Sequence, residues 1–343
     1  MDNFPKFSNA HQSLMAKHLN ETIFKQLKDK TTATGYTLAQ AIQSGISNPD
    51  SGIGIYAGDN DSYQVFASLF NPIIEEYHGF DKTSSHHSDL LSELDNTANI
   101  DPNNEYILST RIRVARNLQG FPLGTNISNS DRNKVEQLVR DTLLAFEGEL
   151  AGNYYPLYQM DDSVKEQLIA DHFLFKSGDR FLEAAGLNRN WPQGRGIFHN
   201  HDKTFLVWIN EEDQLRIIAM QQGGDINEVF ERLKKAIHAM EEKLVFLHDS
   251  RLGYIASCPT NLGTAMRASV HIKLPKLANN KVLFNEITEH YHLQIRGVHG
   301  EHSESESGIF DISNKRRLGI SEKTCINDLY QGVKALIATE KSL

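Results

Sequence analysis

Cys258 opens the stretch Cys258-Pro259-Thr260-Asn261-Leu262-Gly263-Thr264, a loop with a hydroxyl two residues on that runs into the strand-like Met266-Arg267-Ala268-Ser269-Val270. A thiolate is favoured by cations and hydrogen-bond donors, and a free cysteine sits near pKa ~8.5, so Arg267 and Thr260 are the expected depressors. Taken alone, this cysteine reads more readily as a small apolar filler in a turn, since free cysteines are among the most buried residues. The residues around it in the rest of the chain decide between the two.

Arg111, Arg113, Arg216, Arg267 and Arg296 fall on or at the ends of predicted strands, four of them cleanly on a polar face. One such arginine is an ordinary solvated side chain, but five on a common face form a cluster too repulsive to leave without an anion. Polyphosphate suits it, because the planar guanidinium matches phosphate oxygens in bidentate fashion. Magnesium would then arrive on the phosphates with its waters, touching Glu211 and Asp213 through water and needing no direct protein ligand. Opposite an anion site, a cationic acceptor calls for carboxylates, and Glu212 and Glu301 with Cys258 supply three negative groups. Glu212 alone reads as a turn acid and Glu301 alone as a loop acid, so their joint meaning rests on geometry.

The positioning elements follow from periodicity. Tyr106, Leu108, Thr110, Ile112 and Val114 share one strand face, with Ser109, Arg111 and Arg113 on the other. Thr204 to Asn210 is a strand that turns at Glu211-Glu212-Asp213 and returns from Gln214 to Gln221. Arg267, Ser269, His271 and Lys273 oppose Val270, Ile272 and Leu274, and His292, Gln294 and Arg296 oppose Tyr291, Leu293 and Ile295. Helical stripes interleave, among them Ile226, Val229, Phe230, Leu233, Ile237, Met240 and Leu244 behind an Asp225 cap, and a closing helix through Leu329, Val333, Leu336 and Ile337. Direct strand returns imply an antiparallel sheet. The predicted class is α+β, a small N-terminal all-helical domain (residues 1–80) and a larger sheet domain flanked by helices (105–343). Residues 81–104 are polar and read as a linker, with His86-His87 as solvated side chains and not metal ligands. Two loops stand out: Asn48 to Tyr56, rich in turn residues, and Gly300 to Gly308, with the composition of a mobile lid.

Composition narrows the partners. With 35 Lys and Arg against 44 Asp and Glu, a net charge of −9, the chain is no general binder of nucleic acid or anionic membrane. Two cysteines in 343 residues, no leader-like start and no long apolar run point to the cytoplasm.

Cys258-Pro-Thr-Asn-Leu-Gly-Thr, the Asn210-Glu-Glu-Asp turn, Ser109-Thr-Arg-Ile-Arg and Asp311-Ile-Ser-Asn-Lys together resemble the phosphagen (guanidino) kinase family from end to end of the chain. Gly300-Glu301-His302 and Tyr77 match its arginine-specific branch. The resemblance implies reversible transfer of the γ-phosphoryl of MgATP to the guanidinium of L-arginine, giving phosphoarginine and ADP. It implies that Ser51, Gly52, Ile53, Gly54 and Tyr56 hold the amino-acid end of the substrate, and that Glu212, Cys258 and Glu301 hold the guanidinium. It further implies that Arg111, Arg113, Arg216, Arg267 and Arg296 bind phosphates, with His172, Ser109, Ser269 and His271 lining the nucleotide site. Asp50 and Arg180 would link the two domains, in a monomer or homodimer. His299 departs from the family's arginine before Gly-Glu.

A guanidinium has pKa above ~12 and must lose a proton before it attacks, so two carboxylates would orient it and one, Glu212 by preference, would take the proton. Three rivals remain at this point. One is a kinase of protein arginine side chains, which would lack the helical domain. Another is a nucleotide-binding module without catalysis. The third, a carboxylate-amine ligase, needs a multi-carboxylate metal site not evident here.

Overall fold

The computed structural model describes residues 1, 3–95, 98–171, 173–175, 178–297 and 308–343. The N-terminal unit holds α1 (Leu14–His18), α2 (Glu21–Leu27), α3 (Leu38–Ser47), α4 (Ser62–Val65) and α5 (Ala67–His78). Its helices start where polar side chains can satisfy free amides. Thr37 caps α3 in a reciprocal box with Gln40, and Asn20 accepts from the Ile23 amide to start α2. Gly79, at φ 65°, ends α5 in the left-handed conformation that glycine adopts freely. The apolar cluster of this unit is shared, because Met15, Leu27, Phe66 and Phe70 belong to one cluster with Leu252, Ile255, Cys258 and Leu262 from far along the chain. The helical unit thus packs directly against the Cys258 loop.

The larger domain is built on β1 (Ile107–Arg116), β2 (Gly152–Pro156), β3 (Gly196–Asn200), β4 (Phe205–Ile209), β5 (Leu215–Gln222), β6 (His248–Asp249), β7 (Gly253–Tyr254), β8 (Met266–Lys273), β9 (Leu293–Arg296) and β10 (Ile309–Asn314). Eight of these form one sheet in the order β2-β3-β4-β5-β1-β8-β10-β9, and β6 pairs with β7 in a short hairpin. Every pairing in the large sheet is antiparallel. Its helices are α6 (Asn129–Leu144), α7 (Asp162–Ala170), α8 (Arg180–Ala184), α9 (Ile226–Glu241), α10 (Pro275–Ala278), α11 (Lys281–His290) and α12 (Glu322–Ser342). One sheet face meets α6, α9, α11 and α12 through Ile112, Val114, Ile217, Val270 and Ile312, all fully buried. Each such side chain contributes ~1.5–3 kcal/mol by leaving water. The other face splits into an apolar half and a charged half.

Two expectations are corrected. Leu108 was predicted to point into the core with Ile112, but the ladder slips between Ile107 and Ser109, which pair with Ile272 and His271. The extra residue forms a bulge that turns Leu108 out, 41% exposed, and puts Ile107 inside. The 81–104 segment has no helix or strand among its described residues, as a linker should, yet it is not wholly solvated. Leu90 and Leu94 join the core of the sheet domain, and Asp101 accepts from the amides of Glu105, Tyr106 and Ile107. His86 is buried, with Nδ1 accepting from the Gly319 amide, and burial pushes it down to about 4, so it is neutral. His87 stays exposed. Among the described residues no cluster of three or more His, Cys, Asp or Glu could hold a metal ion. No helix among them is long and apolar enough to cross a membrane.

Candidate active site

Sheet register gathers the predicted cations into successive rows on the charged half-face. Arg296, Asp311, His271 and Ser109 lie side by side across β9, β10, β8 and β1. Ser269 and Arg111 form the next row, then Arg267 directly opposite Arg113, then Arg216 opposite Ala115 and beside Trp208. Like charges directly opposite each other are destabilising in a sheet, so the Arg113–Arg267 pairing is a cost that folding alone does not explain. Burial together with Arg216 and Arg267 lowers Arg111 to about 10, and burial with the surrounding arginines holds Arg113 well below its usual value. The Trp208 ring lies 5.8 Å from the Arg111 guanidinium and 5.4 Å from that of Arg216, a neutral surface that orients both.

Carboxylates anchor the edges of this cluster. A single Nη2 of Arg267 bridges both oxygens of Asp311 at 2.9 Å each, and His271 Nε2 stands 3.7 Å from the same carboxylate. Against the effect of burial, His271 and Arg267 hold Asp311 below its usual range. At the other edge, Arg216 Nη2 reaches Glu212 at 2.9 Å and Glu211 at 3.1 Å. The Glu211–Asp213 turn joins β4 to β5, so antiparallel return alone delivers Glu212 to the margin of the arginine face.

Glu212 meets the Cys258 loop there, its Oε1 accepting from Asn261 Nδ2 at 3.4 Å. Burial raises its carboxyl to about 7, with Arg216 opposing the rise. Cys258 is buried, and its sulfur lies 3.1 Å from the Thr260 hydroxyl. The expected depression of this thiol is corrected. Burial and then Glu212 push it up to about 12, Thr260 alone pulls the other way, and Arg267 is committed to Asp311. A thiolate here needs a cation between it and Glu212.

The 48–56 loop arrives from the helical unit. Tyr56 is buried in the same apolar cluster as Cys258, and burial, with Cys258 and Glu212 adding to it, raises its phenol. Backbone bonds fix the loop: the amides of Leu14 and Met15 donate to the carbonyls of Gly52 and Ile53, and the Gly45 amide to that of Gly54. Gly54 sits at φ +73°, and a side chain on it would strike Ser13 at 2.6 Å. Ser51 is buried at the start of this loop, and Gly52 is exposed with open space where a side chain would lie. Asp50 and Arg180 form a double ion pair between the helical unit and α8.

Glu301, His172 and His299 lie outside the described residues, as does most of the Gly300 to Gly308 loop. The expectation that Asp213 meets magnesium through water is corrected. Its carboxylate is 3% exposed, with Oδ1 accepting from Asn117 Nδ2 and the Ser257 amide, both at 2.8 Å. Glu211 remains at the edge of the arginine face.

Sequence reasoning missed Arg317. It lines a small cleft with Arg113, Arg216, Arg267 and Asn261, and its Nη1 donates to the Thr260 carbonyl at 2.8 Å and Asn261 Oδ1 at 2.9 Å. The basic triplet Lys315-Arg316-Arg317 after the last strand was the signal. Trp208 was missed as well. A roomier cleft of about 500 Å³ is lined by Leu157, Met160, Phe175 and Trp191, and among the described residues its charged lining is Asp162 and Lys165. The smaller cleft gathers four arginines, Arg113, Arg216, Arg267 and Arg317, and is the one suited to polyphosphate.

A cation-rich face able to hold polyphosphate thus abuts an acid, a thiol and a phenol able to hold a cation. Residues 134–343 match the family model of the ATP:guanido phosphotransferase C-terminal catalytic domain, and residues 9–75 match that of the N-terminal domain. Arginine kinase 1 of Drosophila melanogaster is 52% identical over 334 residues, covering 97% of this chain and 94% of its own. Arginine kinase Lit v 2.0101 of Penaeus vannamei is 51% identical with the same coverage. Among solved structures, a lombricine kinase superposes with a TM-score of 0.93 at 38% identity over 99% of this chain and 94% of its own. One half of the duplicated taurocyamine kinase of Schistosoma mansoni, 47% of that chain, matches 98% of this one with a TM-score of 0.91 at 42% identity. Both domain models and near full-length identity above 50% make this chain a member of the ATP:guanido phosphotransferase family.

Proposed function

We infer that this chain catalyses reversible transfer of the γ-phosphoryl group of MgATP to a guanidinium nitrogen of L-arginine, giving phosphoarginine and ADP. Relatives named as arginine kinases support arginine as the acceptor. The observation that carries the reading is the contact between Arg216 and Glu212, in which a phosphate-binding cation and an acceptor-binding acid share one ion pair.

Charge and the family resemblance together suggest the roles. Arg111, Arg113, Arg216, Arg267, Arg296 and Arg317 neutralise the phosphates, and phosphoryl transfer asks for little more than such neutralisation and alignment. His172, Ser109, Ser269 and His271 line the nucleoside side. Magnesium would arrive with the nucleotide and supply charge neutralisation there; Glu211, with no multi-carboxylate cluster among the described residues, fits an ion that would keep its waters. Glu212 and Glu301 grip the guanidinium from two directions, with the Cys258 sulfur as a third negative point. Glu212, raised to about 7, sits where a general base works best and accepts the proton that the attacking nitrogen loses. Ser51, Gly52, Ile53, Gly54 and Tyr56, on residues 1–80, hold the amino-acid end. The Asp50–Arg180 pair ties that helical domain to the catalytic one, 105–343, across 81–104. Two unpaired buried cysteines suit the reducing cytoplasm.

The test is initial-rate ADP release from MgATP with arginine, creatine, taurocyamine, lombricine, an arginine peptide or no acceptor, with the product read by phosphorus NMR. Turnover confined to free arginine is expected. Turnover confined to taurocyamine or lombricine would move the acceptor, and peptide-only turnover would make the enzyme a protein kinase.

A further inference from the structure

The rows of the arginine face are set by strand register, but Glu212, Cys258 and Tyr56 sit on three loops with no ladder in common. What holds those loops together lies beneath them. Asn117, the residue after β1, is 1% exposed and uses its whole amide. Its Nδ2 donates to Asp213 Oδ1 at 2.8 Å and to the Ile255 carbonyl at 2.9 Å, and its Oδ1 accepts from the Gln214 amide at 2.9 Å. Asp213 Oδ1 also accepts from the Ser257 amide at 2.8 Å, next to Cys258. The Ser257 carbonyl then accepts from the Ala57 amide, next to Tyr56, at 2.8 Å. One buried network therefore reaches the chain neighbours of Glu212, Cys258 and Tyr56. These side chains satisfy three buried backbone groups, the Gln214 and Ser257 amides and the Ile255 carbonyl, and the segments they tie together are the ones that carry Glu212 and Cys258.

Building on the reading of the site as an arginine phosphotransferase, we propose that Asn117 and Asp213 are positioning residues. Their junction sets the Glu212 turn, the Cys258 loop and the Tyr56 loop at fixed separations from one another and from the end of β1, where the arginine rows begin. Neither residue touches substrate. Asp213 acts through the oxygen that accepts two N–H groups, so a neutral amide oxygen in the same place does the same work. A role as base or as metal contact would instead demand the carboxylate.

The experiment uses the full chain with Asn117→Ala, Asp213→Ala, Asp213→Asn and, as a remote control, Asn200→Ala. Asn200 is an equally buried asparagine that holds Thr204, Phe205 and the Glu149 carbonyl at the far end of the sheet. We measure kcat, KM for arginine, the Kd for ADP without arginine, ADP formed per phosphoarginine, and Tm. Misplacement of about an ångström costs roughly 100-fold in rate, so both alanine variants at the junction should lose about that in kcat while ADP affinity stays within about threefold. They should also release more ADP per phosphoarginine. Asp213→Asn should keep kcat within about threefold of wild type. Asn200→Ala should lower Tm and leave kcat alone.

Equal damage from Asp213→Asn and Asp213→Ala would overturn the proposal in favour of a charge role. So would loss of ADP affinity in step with kcat, or a kcat loss in Asn200→Ala matching its loss of Tm. Should Asn117→Ala fail to fold, the two Asp213 variants decide. A wild type inert toward arginine but active on another guanidine would refute the acceptor assignment alone, and the variants are then compared on that guanidine.

Discussion

The phosphate side and the acceptor side of this site are built by different means. Arg111, Arg113, Arg216 and Arg267 ride on neighbouring strands, and hydrogen-bond register fixes their spacing before any side chain is considered. Glu212, Cys258 and Tyr56 come from a turn and two loops, one of them from the helical unit, held by single backbone and side-chain bonds. A rigid half and an assembled half suit the chemistry. Polyphosphate must be neutralised by cations already in place, because reorganising them during reaction would cost what they gain. The acceptor must enter, lose a proton and leave, so its groups come from separate loops that a buried junction has to hold in register.

If that division holds, the largest effect falls on the acceptor side. Glu212→Gln removes the base and half of the grip on the guanidinium but keeps an oxygen for Arg216. We expect kcat to fall roughly 10³-fold, in the middle of the range for general bases, with the Kd for ADP nearly unchanged. In the wild type, kcat/KM for arginine should fall as pH drops through about 7, because Glu212 must be ionised both to hold a cation and to take its proton. A pH profile flat from 8 to 5 would remove Glu212 as the base.

On the phosphate side, Arg267→Lys should mirror that pattern. A lysine supplies one point charge in place of a planar fork, and Asp311 loses the nitrogen that bridged both its oxygens. We expect kcat/KM for ATP to fall about 100-fold, or ~3 kcal/mol, with KM for arginine within about twofold. Asp311 is held below its usual range, so its contribution to stability is present above the unfolded value near 4 and is lost as pH falls through the lower folded value. The variant should therefore lose less stability than the wild type on acidification. If arginine binding weakens as much as ATP binding, the two sides are not separable.

Cys258→Ala tests the seam between them. The sulfur touches the Thr260 hydroxyl and is held as a thiol by burial and Glu212 until a cation arrives. It would then tune the guanidinium electrostatically, so turnover should slow about tenfold and not stop, a loss of ~1.4 kcal/mol. Mass spectrometry of enzyme quenched in turnover should find no phosphocysteine, and finding one would replace this account with a covalent one.

The same division explains what the chain disclosed before folding. Period-two alternation put Arg111 and Arg113 on one face of their strand and Arg267 on the polar face of another, and sheet register then brings these and Arg216 together, because a half-buried strand cannot slip without exposing its apolar residues. Cys258 and Glu212 were visible as residue types in loops, but their closeness depends on chain separated by more than forty residues. Asp213 looked like a metal contact because it sits beside Glu212 in sequence; only the turn's geometry sends it inward to Asn117 and Ser257. Leu108 was misplaced by a one-residue bulge that alternation cannot signal, and His86 by a polar stretch that nevertheless docks two leucines. Arg317 lay in plain view in a basic triplet, yet no period marks a residue just past a strand.

The smallest effect should come from the support of the acceptor side, far from any substrate atom. Thr37 caps α3, the helix that leads into the 48–56 loop, and its box with Gln40 satisfies two amides. Thr37→Ala should cost ~1 kcal/mol and lower Tm by about 2–4 °C. The Ala41 carbonyl that holds the Tyr56 amide lies one turn into α3, so a frayed start loosens that bond but leaves the bond from the Gly45 amide to the Gly54 carbonyl, a turn further on, in place. KM for arginine should therefore rise no more than about twofold, with kcat and the Kd for ADP unmoved. A rise in the Kd for ADP would mean that the helical unit also sets the phosphate face, and the contrast between a strand-built half and a loop-built half would fail at its simplest point.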